Sequence, residues 1–360
     1  MAAAVTHRER DYSLLGQDAK RADERGLHAA EWYHSELSRK RMKELMRRRD
    51  LPALRDTAIW FLALVVFAYG AYVFWGSWEC LPFFVCYGVL YGSASNSRWH
   101  EAGHGTAFKT PWMNDVLYQI ASFMTLLEPT VSRWSHTRHH TDTIIVGLDP
   151  EIAPMRPPPD ALALDTVGLR TAHRVGVSLV RHAAGRLTPD EQVYVPDGER
   201  HRVTREARVW LVVFIAVALL CVYTRSILPL LFVGLPSLYG RWLILFLSIS
   251  QHGGLAEDVL DHRLNSRTIK MNPVMRFLYW NMNYHVEHHM FPMVPYHALP
   301  QLHAEIGDDL PPPCNGILAT CREMLPALWR QRRDPDYCLE RVLPSSAKPF
   351  RPELHDVVLS

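Results

Sequence analysis

Between Thr57 and Gly76 the chain runs for 20 residues without a charge, TAIWFLALVVFAYGAYVFWG. At 1.5 Å of rise per residue such a run crosses a hydrocarbon core of about 30 Å, and few water-soluble folds offer it a home. A second apolar run, Leu81 to Ser97, follows the short connection SWEC, so the pair reads as a helical hairpin. Val209–Thr224 and Ile227–Ser250 form a second hairpin with only Arg225 and Ser226 between them. Asp115–Thr130 is apolar but short, which suits an interfacial or re-entrant helix better than a span. The expected fold is an all-α integral membrane protein of four transmembrane helices in two hairpins, with spans at 57–76, 81–97, 209–224 and 227–250.

Loop charges orient these spans. Arg47, Arg48, Arg49 and Arg55 precede the first, and segments 98–208 and 251–360 are rich in Arg and Lys, whereas the hairpin tips carry almost no cation. By the positive-inside rule both termini and the long central segment are cytosolic. Residues 1–56 are polar and charged, without a secretory signal peptide. Within them Glu36–Arg49 is an amphipathic helix, either solvated or lying on an anionic membrane face. Arg241, inside the fourth run, should lie near the cytosolic end or face other helices. The 155–208 segment, opening on MRPPPD, reads as a cytosolic excursion. The expected organisation is an N-terminal cytosolic region (1–56), a membrane unit (57–305) and a cytosolic tail (306–360). A net charge of +2, with no basic strip interleaved with aromatics, argues against nucleic acid. Six cysteines without a C-x-x-C pair read as reduced structural thiols.

The chemistry lies in the histidines. His100-Glu-Ala-Gly-His104 spells H-E-x-x-H, the signature of zinc proteases, in which two imidazoles share a helix face beside a carboxylate. Two further clusters, His136-Thr-Arg-His139-His140 and His285-Val-Glu-His288-His289, are both H-x-x-H-H. With 19 histidines in 360 residues, about 0.05 such patterns are expected by chance, and two occur. Positions i, i+3 and i+4 lie on one face of a helix, so each cluster offers up to three imidazoles to one point. His252 stands just past the fourth span. All four groups fall at the cytosolic side, within about 5–10 Å of helix ends. A structural zinc takes four ligands and a catalytic zinc three, so nine imidazoles exceed one zinc. Neutral imidazole also suits iron and copper, and nine divide as five plus four over two irons.

The ordered set HEAGH (100–104), HTRHH (136–140) and NYHVEHHMFP (283–292), with spans placed as they are, resembles the integral-membrane fatty acid desaturase and hydroxylase superfamily, the histidine-box non-haem diiron enzymes. The resemblance covers residues 57–305. It implies that His100, His104, His136, His139, His140, His285, His288 and His289 are iron ligands, with His252 as the extra ligand after the fourth span. It implies a cytosolic helical cap carrying the boxes, two Fe ions as cofactor, O2 as co-substrate and an alkyl or acyl chain as substrate, either desaturated or hydroxylated. The first box is H-x-x-x-H, unlike the longer spacing of acyl-CoA Δ9-type members. The third begins with His285 where many front-end members have Gln. There is no H-P-G-G and so no fused haem module, nor a flavin, and electrons are expected from a separate ferredoxin or cytochrome with its reductase.

Glu101, Glu287 and Asp149 are candidates to orient ligand imidazoles through their second nitrogens, and Asn283 to hydrogen-bond bound water. His297 and His303 read as structural. His7, His28, His34, His173, His182, His201, His262 and His355 read as surface or packing residues, and Trp99 and Trp134 as wedges between ligand helices. The rival readings are a membrane zinc protease with Glu101 as general base, and a metal transporter. The first leaves six clustered histidines without a role; the second fits poorly with histidines outside the spans.

Overall fold

The computed structural model describes residues 10–152 and 159–350; His7, His355 and most of MRPPPD lie outside them. The described residues are helical, joined by loops with two isolated β-bridges, Thr268 to Tyr284 and Ile269 to Cys314. All six cysteines are free thiols.

Among the described residues two helical stretches are long and apolar enough to cross a membrane, Arg39–Val73 and Asp197–Thr224. Their principal helices are Asp50–Val73 and Arg200–Thr224. Leu62, Val65, Tyr69 and Tyr72 of the first, and Val212, Leu219, Val222 and Tyr223 of the second, are exposed. Contiguous apolar surface of this kind points to membrane association. The inner face of the first helix is pinned by Trp60, fully buried, whose indole N–H donates to the Leu90 carbonyl at 2.9 Å.

The second predicted run continues beyond its expected end. It is an α-helix over Cys80–Gly88, a π-helical turn over Val89–Ala94, and an α-helix over Ser95–Gly103 that carries the first box. A π turn inserts one residue into the helical ladder, and here it lies where the backbone meets residues 236–240. Glycine is required on both sides of this crossing. A Cβ on Gly240 would stand 1.8 Å from the Gly88 carbonyl oxygen, and one on Gly92 2.5 Å from that of Pro236.

The fourth predicted run is not one helix. It breaks into Leu228–Phe232, Pro236–Tyr239 and Trp242–His252. Pro229 and Pro236 remove backbone donors, and Gly234 turns through φ 99°. The freed carbonyls are satisfied by protein groups: the Tyr87 hydroxyl donates to Phe232, that of Tyr239 to Leu231, and Ser93 Oγ to Gly240 at 2.6 Å. Such partnering lets irregular backbone persist at apolar depth.

The amphipathic segment near the N-terminus forms the helix Arg39–Leu45, capped by Ser38. Its apolar face turns onto the protein and not outward: Leu45 is buried, and Leu37 and Met42 pack on the main core. The chain before it is tied to the C-terminal part, since Tyr33 Oη and Ser35 Oγ both donate to Asp309 at 2.6 Å.

Arg98 then fixes the first box against the third. It is completely buried, 4.9–5.2 Å from the ring centroids of Trp60, Phe277 and Trp280. Its guanidinium donates to the carbonyls of Ala94, Phe277 and Leu278 at 2.7–3.1 Å. A cation without a carboxylate in hydrogen-bond reach among the described residues is held here by aromatic faces and carbonyl dipoles.

Candidate metal centre

Four helices deliver the histidines. Ser95–Gly103 and the residue that caps it bring His100 and His104, Pro129–Thr141 brings His136, His139 and His140, Trp242–His252 ends on His252, and the short helix His285–Met290 brings the last three. The nine imidazoles gather as two adjoining groups. His100, His104, His136, His140 and His288 have ligand atoms within 4.8 Å of one another, and so do His139, His252, His285 and His289.

Nε2 atoms converge within each group. They lie 3.2 Å apart for His104 and His136, 3.1 Å for His136 and His140, and 3.2 Å for His140 and His288. In the second group His285 Nε2 stands 3.0 Å from those of both His252 and His289. A metal–nitrogen bond of about 2.1 Å gives octahedral edges of about 3.0 Å and tetrahedral edges of about 3.4 Å. The nitrogens therefore already stand on the edges of coordination polyhedra. Burial pushes the imidazoles of His100, His104, His140, His252, His285, His288 and His289 well below their ordinary range, and neighbouring imidazoles push further. They are neutral, the form that donates a lone pair to a metal. Both nitrogens of His100, and Nδ1 of His140, His285 and His288, are buried without a hydrogen-bond partner in the protein. Two converging sets of imidazole nitrogens, five and four, fit two first-row metal ions.

A second layer sets which nitrogen faces inward. His139 Nδ1–H donates to Asp149 at 2.8 Å, His136 Nδ1–H to Glu151 at 3.3 Å and His252 Nδ1–H to the Asn265 carbonyl at 2.8 Å. Thr143 gives its own hydroxyl proton to the His139 carbonyl and so accepts from His289 Nδ1 at 3.2 Å. Each contact leaves Nε2 free for metal. Burial alone would raise the Glu151 carboxyl, but facing His136 and His139 and the Ser135 hydroxyl hold it at about 2.

Of the four candidate orienting residues, Asp149 is the one hydrogen-bonded to a box imidazole, that of His139. Glu101 and Glu287 do not touch a ligand ring. Glu101 accepts from the Tyr296 backbone N–H at 3.0 Å, and burial lifts its carboxyl to about 7. Glu287 accepts from Thr268 Oγ1 at 2.6 Å and pairs with His303. The reason is tertiary: Tyr296 takes the one carboxylate, and Thr268 with His303 the other. Asn283 uses its amide N–H on the Ile269 carbonyl and leaves Oδ1 buried without a partner. The protease reading loses its general base, since Glu101 faces the 291–298 loop, and His100 and His104 belong to a group of five imidazoles where a catalytic zinc takes three ligands.

The sequence reading passed over Glu151, two residues after Asp149 in GLDPE, and Asn265 and Thr143. It also set aside His262, which is buried and stacks at 4.3 Å on Trp32 and 5.1 Å from His289. His182, read as a surface or packing residue, is buried between Glu128 at 2.9 Å and Glu191 at 3.2 Å. Trp99 is more than a wedge: its ring lies 5.3 Å from that of His136 and faces a cavity of about 550 Å³. His100, His136, His139 and His285 open onto the same cavity.

An α-helical fold with two apolar helices long enough to cross a membrane and two converging groups of imidazoles is the frame of a membrane-associated protein with a site able to hold metal. The chain belongs to the fatty acid desaturase family, which it matches over residues 76–317, a stretch that contains all nine histidines. No curated protein matches it.

Proposed function

We propose that this chain is a membrane-embedded diiron oxidoreductase that uses O2 and two external electrons to desaturate an unactivated alkyl or acyl chain. The observation that carries the reading is the five-plus-four grouping of converging imidazoles. His100, His104, His136, His140 and His288 would hold one iron, and His139, His252, His285 and His289 the other. When bound, the iron pair supplies the redox chemistry that activates O2. The chain's own residues do the rest. Asp149, Glu151, Thr143 and the Asn265 carbonyl keep protons on Nδ1 and turn Nε2 inward, burial excludes bulk water, and the cavity beside Trp99 admits substrate to the histidines.

In this reading the chain crosses the membrane four times. The runs 57–76 and 209–224 lead outward, and the runs 81–97 and 227–250 return. The cation cluster Arg47–Arg49 ahead of the first span supports cytosolic termini and a cytosolic active site. Residues 57–305 form the membrane unit between cytosolic regions 1–56 and 306–360. Electrons come from a separate ferredoxin or cytochrome with its reductase. Hydroxylation of a lipid or smaller aliphatic substrate is the second reading, because the outcome is set by which hydrogen the cavity presents.

The test is metal content per chain on protein purified in detergent, wild type beside His139→Ala, followed by product analysis. Two irons in the wild type, falling in the variant, are expected. One zinc, unchanged by the loss of His139, would overturn the proposal.

A further inference from the structure

His262 is a buried imidazole that belongs to neither metal-binding group. Its ring nevertheless lies between those groups and the protein surface. On the inner side its centroid is 5.1 Å from that of His289. His289 in turn stacks on His140 at 4.5 Å, and these two rings join the group of four to the group of five. On the outer side His262 stacks on Trp32 at 4.3 Å, with the ring planes within 3° of parallel. Trp32 is partly exposed, and its neighbours Glu31, His34 and Thr141 are exposed. A column of aromatic rings therefore runs from solvent to both metal-binding groups.

The column is clamped on both sides. The indole N–H of Trp32 donates to the Thr141 carbonyl at 3.1 Å, at the end of the helix that carries the second box. The residues that follow Trp32 and His262 are tied to each other. Arg263 Cζ lies 3.7 Å from the ring centroid of Tyr33, and Tyr33 Oη and Arg263 Nη1 both donate to Asp309, at 2.6 and 3.1 Å. The Tyr33 backbone N–H donates to the Leu260 carbonyl at 2.9 Å. Asp261 and Arg263, on either side of His262, are completely buried and paired at 2.8 Å. Trp99 also lies against a box histidine, but it leads to the cavity and to buried Tyr118 rather than to the surface.

The proposed reaction draws two external electrons into this site. A carrier protein is too large for a cavity of about 550 Å³. Electron tunnelling decays steeply across empty gaps and less steeply through rings in contact. We infer that electrons from a one-electron carrier protein enter at Trp32 and that His262 relays them to the metal-binding histidines. Each electron leaves the carrier, which is oxidised, and reduces one ferric ion to ferrous. The rings supply orbital overlap only: no bond forms or breaks in them and no proton moves. The path rests on the diiron reading.

The experiment uses the full chain in detergent, loaded with ferric iron and kept anaerobic. A ruthenium tris-bipyridine photosensitiser is attached to Glu31→Cys, beside the exposed ring, in a Cys338→Ser background that removes the exposed native thiol. A flash turns the label into an electron donor, and transient absorption follows reduction of the ferric protein. Iron content, unfolding temperature and the rate of reduction by dithionite, small enough to enter the cavity, are measured on the same samples. Trp32→Leu should lose the fast phase of flash reduction while iron content and the dithionite rate stay at the parent level. Trp32→Phe, which keeps a ring on His262, should retain the fast phase, and His262→Leu should lose it. Flash reduction of Trp32→Leu at the parent rate would overturn the path. So would a slowing shared equally by dithionite, the mark of a disturbed site. Absence of iron from the parent protein is a different failure, which would overturn the diiron reading and the path with it.

Discussion

Asp149→Asn isolates the layer that aims the imidazoles. Asp149 is completely buried. Its Oδ2 accepts from His139 Nδ1–H and from the Ile144 backbone N–H, each at 2.8 Å, and its Oδ1 accepts from the Glu151 N–H at 2.7 Å. Asparagine has the same shape but one acceptor. If its oxygen keeps His139 and Ile144, its amide N–H₂ confronts the Glu151 N–H; if it turns over, two donors are orphaned. Either way a buried donor goes unmet, which costs about 1–3 kcal/mol of stability. Loss of an orienting carboxylate behind a metal-binding histidine typically lowers metal affinity 10–100-fold, or about 1.4–2.7 kcal/mol. Thermal unfolding of the metal-free protein reads the first effect. The rate at which a chelator strips the loaded protein reads the second, with His139→Ala as the limit. An Asp149→Asn protein that unfolds earlier yet loses metal at the wild-type rate would refute the claim that Asp149 aims His139.

Three further outcomes separate this reading from its rivals. Glu101→Gln, which keeps an acceptor for the Tyr296 N–H, should retain metal at the wild-type level while His100→Ala loses it; a metal loss equal to that of His100→Ala would return Glu101 to the centre. Burial pulls the His182 imidazole down, but Glu128 and Glu191 outweigh it and raise it to about 9 from 6.5. A raised folded value means that its stabilising contribution is complete below about pH 6.5, declines between 6.5 and 9, and is gone above 9. The difference in unfolding temperature between wild type and His182→Gln should therefore shrink across that window, and a difference constant with pH would count against the buried pair. Gly240→Ala should cost about 3 kcal/mol or more and deplete folded protein in the membrane fraction, because its Cβ meets the Gly88 carbonyl at 1.8 Å. Gly176→Ala, where nothing lies within 4 Å of the new methyl group, should be neutral or stabilising by comparison.

What the sequence made legible is whatever repeats with the helix period. His136, His139 and His140 had to share a face because i, i+3 and i+4 do, and the structure brings all nine proposed histidines into two adjoining groups. The direction of Glu101 was not available from that period, since it stands about 100° from His100 but only about 60° from His104; the Tyr296 N–H that takes its carboxylate comes from a distant loop. What lay beyond reach depends on contacts between distant segments. Glu151 orients His136 only because the loop after the second box folds back over its own helix. His262 meets His289 only across the fold, where Trp32 from the N-terminal region stacks upon it.

The fourth apolar run shows why an apolar stretch alone misleads. Pro229, Gly234 and Pro236 stand in it as plain breakers, yet absence of charge made it read as one span. Breaking a helix in an apolar setting costs several kcal/mol per unmet carbonyl unless something else donates. Here Tyr87, Tyr239 and Ser93 are those donors, two of them on the Cys80–Ala94 path. The break and the π turn are two halves of one crossing, since glycines 88, 92 and 240 let the backbones touch there and Ser93 both donates to the Gly240 carbonyl and accepts from the Ile244 N–H at 3.0 Å. That crossing sets where the Trp242–His252 helix begins. It thereby places Arg241, on the cavity, just ahead of that helix and His252, in the four-imidazole group, at its far end, so the irregular middle of the run is what positions that histidine.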